Sequence, residues 1–134
     1  KPMILVDTCV WIDLLQGRRT AAVRILEQIE ERAEVEICVS GIIIFEVLRG
    51  ISDPRRRRFV SDVFATLERR DYRHGSMHEM LEHESACRRG GLSLPRLGDW
   101  LIIQTALDHD LEILSSDEDF VKISSCVPIR LARV

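Results

Sequence analysis

Short apolar segments alternate with longer segments of helical periodicity along this chain, and this alternation restricts the possible folds more than any other feature. The segments Met3 to Val6 and Glu36 to Ser40 are each followed by amphipathic helical patterns. A third segment, Leu111 to Ser115, follows a very apolar helical pattern, and Val127 to Leu131 is a candidate for a last, edge strand. The order predicts an α/β fold, a three-layer α/β/α sandwich around a mostly parallel sheet.

Capping residues mark several helix boundaries. Thr20 is expected to cap a helix that runs to about Ala33. Ser40 is expected to cap the next helix, which should end at Gly50 because glycine commonly follows the last helical residue.

The helix after Pro54 is predicted from the preference of proline for the first helical turn and from apolar residues at helical spacing. Phe59, Val63 and Leu67 are predicted to be its core-facing positions. A further helix is predicted over Met77 to Arg89, where two glycines follow it.

Composition favours one ordinary domain spanning residues 1–134. Apolar residues make up 46% of the chain and charged residues 31%, which is typical of a globular protein. The net charge of -3 excludes a protein that holds nucleic acid by bulk positive charge alone. Because no apolar run approaches membrane-spanning length and no signal-peptide pattern opens the chain, we expect a cytoplasmic protein with no membrane association.

The four cysteines are predicted to be free thiols. Cys9, Cys38, Cys87 and Cys126 are scattered along the chain without C-x-x-C spacing. Disulfides are rare in the reducing compartment expected here. Three of the four lie in apolar surroundings that suit small buried residues.

Four carboxylates occupy positions that a parallel sheet would bring to one edge. Asp7 and Asp117 directly follow apolar strand candidates. Asp99 opens the most apolar helix, and Glu46 lies on the helix after the second strand. The carboxyl ends of parallel strands meet at one edge of the sheet, where ligands bind. At about 5 Å, each pair of charges would repel by roughly 3 kcal/mol in an effective dielectric near 20, so a divalent cation is expected between them.

The ligand types indicate which cation this would be. Carboxylate oxygens without histidine or cysteine at ligand spacing favour Mg²⁺ or Mn²⁺ over Zn²⁺. These ions suit phosphodiester hydrolysis, because they activate water and neutralise the leaving oxygen. His74 and His78 are four residues apart, but no third ligand at suitable spacing supports a zinc site.

Structural explanations exist for some of these acids. Asp99 could be favoured by the helix start alone, and Asp117 and Asp119 could be turn residues or helix caps. Glu46 is harder to explain structurally, because a carboxylate among apolar helix residues needs solvent or a partner.

Four segments, in the order ILVDTCVWID, FEVLRG, GDWLIIQTAL and ILSSDEDF, resemble the characteristic blocks of PIN-domain toxins of the VapC family. Together they span nearly the whole chain. The resemblance implies a divalent-metal endoribonuclease that leaves a 5′-phosphate and a 3′-hydroxyl. It also implies the toxin of a toxin–antitoxin pair, a homodimer neutralised by a small antitoxin of the VapB type.

The resemblance also implies roles for individual acids. Asp7 matches the acid after the first strand, Glu46 the helix acid, and Asp99 the third acid. Asp7 and Asp99 are the firmest metal ligands. Asp117 matches the fourth acid, with Asp119 as the alternative.

Two supporting positions accompany the acids. Many relatives have Thr-Ser or Thr-Asn after the first acid, whereas this chain has Thr8 and Cys9, so a thiol replaces a hydroxyl or amide. Ser115 stands where a threonine is common and keeps the hydroxyl.

The run Arg55 to Arg58 follows Pro54, where positive charge is disfavoured by the helix dipole. RNA phosphates or an acidic antitoxin segment are possible partners. A solvated surface run is the favoured interpretation, because four adjacent residues point around a helix.

Other classes of protein account for part of this acid pattern. An aspartyl-phosphate phosphatase needs a second acid two residues after the first, and Cys9 occupies that position. A DNA flap nuclease would use the same acids, but we expect that class to need a longer chain for its extra elements. A PIN-fold RNA-binding or adaptor module that has lost catalysis is the main alternative, although such proteins generally lack one or more of the acids.

Overall fold

A five-stranded sheet in which every pairing is parallel forms the centre of the protein. The computed structural model describes residues 2–94 and 96–132. The strands are β1 (Met3–Val6), β2 (Glu36–Val39), β3 (Glu68–Arg69), β4 (Glu112–Leu114) and β5 (Arg130–Leu131). Their spatial order is β3-β2-β1-β4-β5.

Helices connect these strands, as the sequence pattern predicts. They are α1 (Thr8–Leu15), α2 (Ala21–Glu30), α3 (Gly41–Arg49), α4 (Pro54–Ala65), α5 (Met77–Arg89), α6 (Leu97–His109) and α7 (Glu118–Ile123). A single 3₁₀ turn, His74–Ser76, precedes α5. The predicted fold class, an α/β fold around a mostly parallel central sheet, is confirmed.

The strand order reverses between β1 and β4, and this reversal determines where a site can form. From β1 the chain continues to β2 and β3 on one side, whereas β4 and β5 lie on the other side. Leu5 is opposite Ile113 and Val6 is opposite Leu114, so the two central strands end at the same level. The Asp7 backbone N–H extends the pairing by donating to the Leu114 carbonyl at 2.9 Å. In open α/β sheets the crevice beyond such a reversal is where ligands bind.

Helix α6 is buried around most of its circumference, in agreement with its apolar sequence. Its buried residues include Trp100, Ile102, Ile103 and Ala106. A helix without a polar face is stable only when other elements cover it. The first residues of α6 are therefore held firmly at the edge of the sheet.

The buried face of α4 differs from the prediction. Phe59 and Val63 are 66% and 41% exposed, whereas Val60 and Phe64 are buried. Phe64 packs edge-on against Trp11 of α1, with ring centroids 5.1 Å apart. Two apolar pairs at helical spacing compete in this helix, and the contact with α1 selects the second pair.

Only one of the two predicted helix caps is present. Thr20 accepts a hydrogen bond from the Val23 backbone N–H at 3.1 Å, although α2 ends at Glu30 rather than at about residue 33. Ser40 precedes α3 but makes no side-chain cap. Asp71, after β3, accepts from the Gly41 backbone N–H at 2.7 Å. The carboxylate of Asp71, which is distant in sequence, thus caps α3 in place of the Ser40 hydroxyl.

The prediction of four free cysteines is wrong. Cys87, in the last turn of α5, and Cys126, after α7, form a disulfide with their Cα atoms 5.9 Å apart. The two residues are 39 apart in sequence and meet because the end of α5 packs beside the segment after α7. Cys9 and Cys38 are free thiols.

Within residues 2–94 and 96–132, no helix is long and apolar enough to cross a membrane.

The two N-cap positions provide a test of the capping assignment. Thr20→Ala should lower the free energy of unfolding by about 1 kcal/mol, because it removes a cap hydrogen bond. Ser40→Ala should leave it unchanged or raise it, since the Ser40 hydroxyl is buried without a hydrogen-bond partner among the described residues. Urea denaturation of both variants measures the difference. Equal losses would contradict the assignment.

Candidate active site

Asp7 is the buried centre of the site. It follows β1, precedes α1 and is 4% exposed. Its Oδ1 accepts from the Thr8 backbone N–H at 2.8 Å. Its Oδ2 accepts from the Ser115 hydroxyl at 2.8 Å and from the Cys9 thiol at 3.2 Å. Burial raises the pKa of Asp7, and these three hydrogen bonds only partly oppose that effect.

Glu46 reaches the site from α3. Its Oε1 accepts from the Thr8 hydroxyl at 2.7 Å. The same carboxylate lies against the first turn of α6, beside Gly98. Thr8 therefore contacts both acids, with its backbone on Asp7 and its side chain on Glu46. Sequence reasoning required solvent or a partner for this half-buried carboxylate, and Thr8 is a partner.

Asp99 lies in the first turn of α6 and is the best single indicator that the acids converge. Its pKa is raised to about 6, chiefly by burial. The next causes are the negative charges of Asp7 and Asp117, and Glu46 makes a smaller contribution in the same direction. The positive charge of Arg96 opposes the shift. Carboxylates from three other segments thus lie close enough to Asp99 to raise its pKa.

Asp117 and Asp119 occupy different positions around α7. The Asp117 backbone N–H donates to the Ser115 hydroxyl at 3.0 Å, which links it to the hydroxyl that also contacts Asp7. The Asp117 Oδ1 accepts from the Asp119 backbone N–H at 2.9 Å and so caps α7. Asp117 is among the main charges that raise the pKa of Asp99. This geometry favours Asp117 as the fourth acid.

Three residues that sequence reasoning did not assign to the site lie beside it. Ser116 places its hydroxyl 3.3 Å from the Cys9 sulfur. Arg96 acts on Asp99 through its charge, and Gly98 lies under the Glu46 carboxylate. Ser116 and Gly98 are each adjacent to a predicted acid, and Arg96 is three residues before one. This proximity in sequence is the only feature that could have indicated them.

The donor set suits a hard divalent cation, although the side chains do not form a ready coordination sphere. All four acids offer carboxylate oxygens, the ligands that Mg²⁺ and Mn²⁺ prefer. Among the described residues, no group of three or more acid, histidine or cysteine side chains is close enough to hold a metal ion as the side chains stand. Both oxygens of Asp7 are instead occupied by hydrogen-bond donors.

The arginines after Pro54 have separate hydrogen-bond partners. Arg56 donates to the Leu15 carbonyl at the end of α1. Arg57 donates to the Ile51 carbonyl at 3.0 Å. Two of the four thus bind backbone carbonyls, which explains part of a run that the helix dipole disfavours.

Comparison with protein-family models matches residues 4–125 to the PIN domain. The chain belongs to the PIN domain family. The matched residues include all four acids. A search of curated proteins found no match.

Solved structures share this PIN fold over nearly the whole chain. VapBC2 from Rickettsia felis, solved with a promoter DNA fragment, has a TM-score of 0.76 and 16% identity, and the match covers 97% of each chain. VapBC-1 from nontypeable Haemophilus influenzae has a TM-score of 0.75 and 13% identity, covering 97% of this chain and 96% of the other. A toxin–antitoxin complex from Klebsiella pneumoniae has a TM-score of 0.65 and 23% identity, covering 96% of each.

The raised pKa of Asp99 leads to a pH-dependent stability difference. Its pKa rises from 3.8 to about 6 on folding, so its contribution to stability is complete below about pH 4 and is lost as the pH rises through 6. Without metal, Asp99→Asn should therefore exceed the wild type in free energy of unfolding by about 1 to 2 kcal/mol at neutral pH, a figure reduced for partial solvent screening. The difference should shrink towards pH 4.

Urea unfolding in the presence of a chelator, repeated across this pH range, measures the effect. Asp62→Asn, on the exposed side of α4, is the control for the chemical change alone. A difference between wild type and Asp99→Asn that stays constant with pH would contradict the prediction.

Proposed function

We propose that this PIN-domain protein is a divalent-metal-dependent endoribonuclease, the toxin of a toxin–antitoxin pair of the VapC type. The observation that supports this most is the mutual action of four carboxylates at the reversal of strand order. The charges of Asp7, Asp117 and Glu46 all raise the pKa of Asp99, and Glu46 also raises that of Asp7. Strongly perturbed acids in the ligand-binding crevice of an α/β fold are typical of a functional site.

In this proposal Asp7 and Asp99 are the principal ligands of Mg²⁺ or Mn²⁺, and Glu46 and Asp117 complete the acidic set. When bound, the ion would lower the pKa of an attacking water and neutralise charge on the leaving oxygen of an RNA phosphodiester. Asp99 must lose its proton before it can bind a cation. Binding should therefore strengthen as the pH rises through about 6.

The neighbours of the acids orient them for this task. The Ser115 hydroxyl and the Cys9 thiol hold the Oδ2 atom of Asp7 from one side. The Thr8 hydroxyl holds Glu46. Partners of metal ligands that fix their orientation are an ordinary feature of metal sites. The thiol at Cys9 takes the place that a hydroxyl or amide has in many relatives and serves as a donor.

A VapB-type antitoxin is the proposed protein partner, and a groove between α3 and α4 offers a surface for it. Its lining combines apolar and positively charged side chains. It includes Ile44, Phe45, Leu48, Arg49, Arg57 and Arg69. Phe45 is 59% exposed, with the Arg49 guanidinium 5.6 Å from its ring centre. An antitoxin segment with apolar and acidic side chains would complement this surface. Homodimer formation is proposed on the family resemblance.

Purified protein should cleave a mixed pool of tRNA and ribosomal RNA in the presence of Mg²⁺ or Mn²⁺. Cleavage should stop when a chelator is added. Asp99→Asn should reduce the cleavage rate by more than about 100-fold, because even outer-shell changes at metal sites cost 10- to 100-fold. Gel analysis of 5′-end-labelled RNA measures the rate, and ligation tests for a 5′-phosphate.

Cleavage that survives both the chelator and Asp99→Asn would overturn the metal-nuclease proposal. The alternative is a PIN-fold RNA-binding or adaptor module with weak catalysis. It predicts RNA binding without cleavage by the wild type.

The fourth acid is tested by a pair of variants. Asp117→Asn keeps an oxygen that can cap α7, so the fold should persist while the cleavage rate falls at least about tenfold. Asp119→Asn should leave the rate within about twofold of the wild type. Both rates are measured at saturating Mn²⁺, with thermal unfolding as the check on folding. The reverse order of effects would assign the role to Asp119.

A further inference from the structure

Gly98 is the second residue of α6 and directly precedes Asp99. It is the only glycine in this helix. Its backbone is not in the left-handed region, where the structure places Gly17 and Gly91. Any residue could therefore adopt the backbone conformation of Gly98, and a glycine inside a helix is normally unfavourable. The presence of a glycine at this position therefore needs another explanation.

The Glu46 carboxylate occupies that space. A Cβ atom added at Gly98 would lie 2.9 Å from Oε2 of Glu46, 3.5 Å from its Cδ and 3.7 Å from its Oε1. All three atoms of the carboxylate thus face the bare α-carbon. The closest approach is shorter than real Cβ contacts allow, so the carboxylate would have to move. It is the end of a flexible side chain, so the fold itself could tolerate the change.

Moving Glu46 would disturb the acids around it. Its Oε1 is held by the Thr8 hydroxyl, at 2.7 Å. Thr8 in turn holds Asp7 through its backbone N–H. Glu46 also adds to the negative charge that acts on both Asp7 and Asp99. The position of this one carboxylate is therefore linked to the two proposed principal ligands.

We propose that Gly98 is a positioning residue: its missing side chain lets the Glu46 carboxylate lie between Thr8 and α6, where it contributes to divalent-cation binding. The cation-binding part rests on the proposed function. The contact between positions 98 and 46 does not, and it can be tested without any metal.

The proposal predicts effects of opposite sign for Gly98→Ala. Alanine is the better helix former, so the variant should unfold at the same temperature as the wild type or higher. Its affinity for Mn²⁺ should nevertheless fall, because Glu46 is displaced. If Gly98 had a purely structural role, its substitution would not lower the Mn²⁺ affinity while leaving the unfolding temperature unchanged or higher.

The metal-free test is a double-mutant cycle of Gly98→Ala and Glu46→Ala, measured by urea unfolding with a chelator present. Once Glu46 is truncated, the added methyl group has nothing to displace. Gly98→Ala should then shift the unfolding equilibrium towards the folded state at least about threefold more than it does in the wild type. Additive effects of the two substitutions would overturn the proposal.

The metal test is calorimetric titration of Mn²⁺ into the wild type, Gly98→Ala, Glu46→Gln and the double variant. Gly98→Ala should weaken the affinity by about tenfold, within the range found for residues that orient metal ligands. In the Glu46→Gln background, adding Gly98→Ala should not weaken the Mn²⁺ affinity further. An undiminished affinity, or an equal loss in both backgrounds, would overturn the positioning role.

Gly75→Ala is the matched control. Gly75 lies in the 3₁₀ turn before α5, and a Cβ there would meet no described atom within 4 Å. Its Mn²⁺ affinity should equal that of the wild type. If the metal-free cycle shows coupling but the wild type binds no Mn²⁺, the proposed metal-dependent function is overturned while the contact between Gly98 and Glu46 stands.

Discussion

The parallel pairing of β1 with β4 is the constraint on which the arrangement of the candidate site depends. It ends both strands at one level and continues into a backbone hydrogen bond from Asp7 to Leu114. The strand order reverses at this pair, which is the position where open α/β sheets bind ligands. Asp7 and Ser115 follow the two strands and share a hydrogen bond, and α3 and α6 carry Glu46 and Asp99.

Negative charge at this end of the sheet destabilises the folded state. Asp7 is almost fully buried, and both its pKa and that of Asp99 are raised. Short-range donors reduce this cost without removing it, since Ser115, Cys9 and the Thr8 backbone all contact Asp7. Groups held in such unfavourable states are commonly those that a protein uses in its function.

Much of this arrangement could be predicted from local sequence. Apolar periodicity located β1, β2 and β4 and the very apolar α6, because burial of one face is visible in the residue order. The positions of Asp7, Asp99 and Asp117 followed from those elements. The two-residue strand β3 has no apolar pattern and was not predicted. Its position is determined by pairing with β2.

The remaining differences come from contacts between distant segments. Asp71 caps α3 instead of Ser40 because β3 delivers it there. The buried face of α4 depends on Trp11. The approach of Glu46 to Gly98 joins α3 to α6 across more than 50 residues of sequence. Local propensity does not contain such information, so only the folded structure shows these contacts.

The Cys87–Cys126 bond closes a loop in the chain that contains both Asp99 and Asp117. In the chain-entropy model, closing a loop of 39 residues raises the free energy of the unfolded chain by about 4 kcal/mol, because it removes conformational entropy. The oxidised and reduced forms of the protein should therefore differ in their free energy of unfolding. The lifetime of this protein in a cell would depend on the thiol redox potential around it, even if the candidate site were the same in both forms.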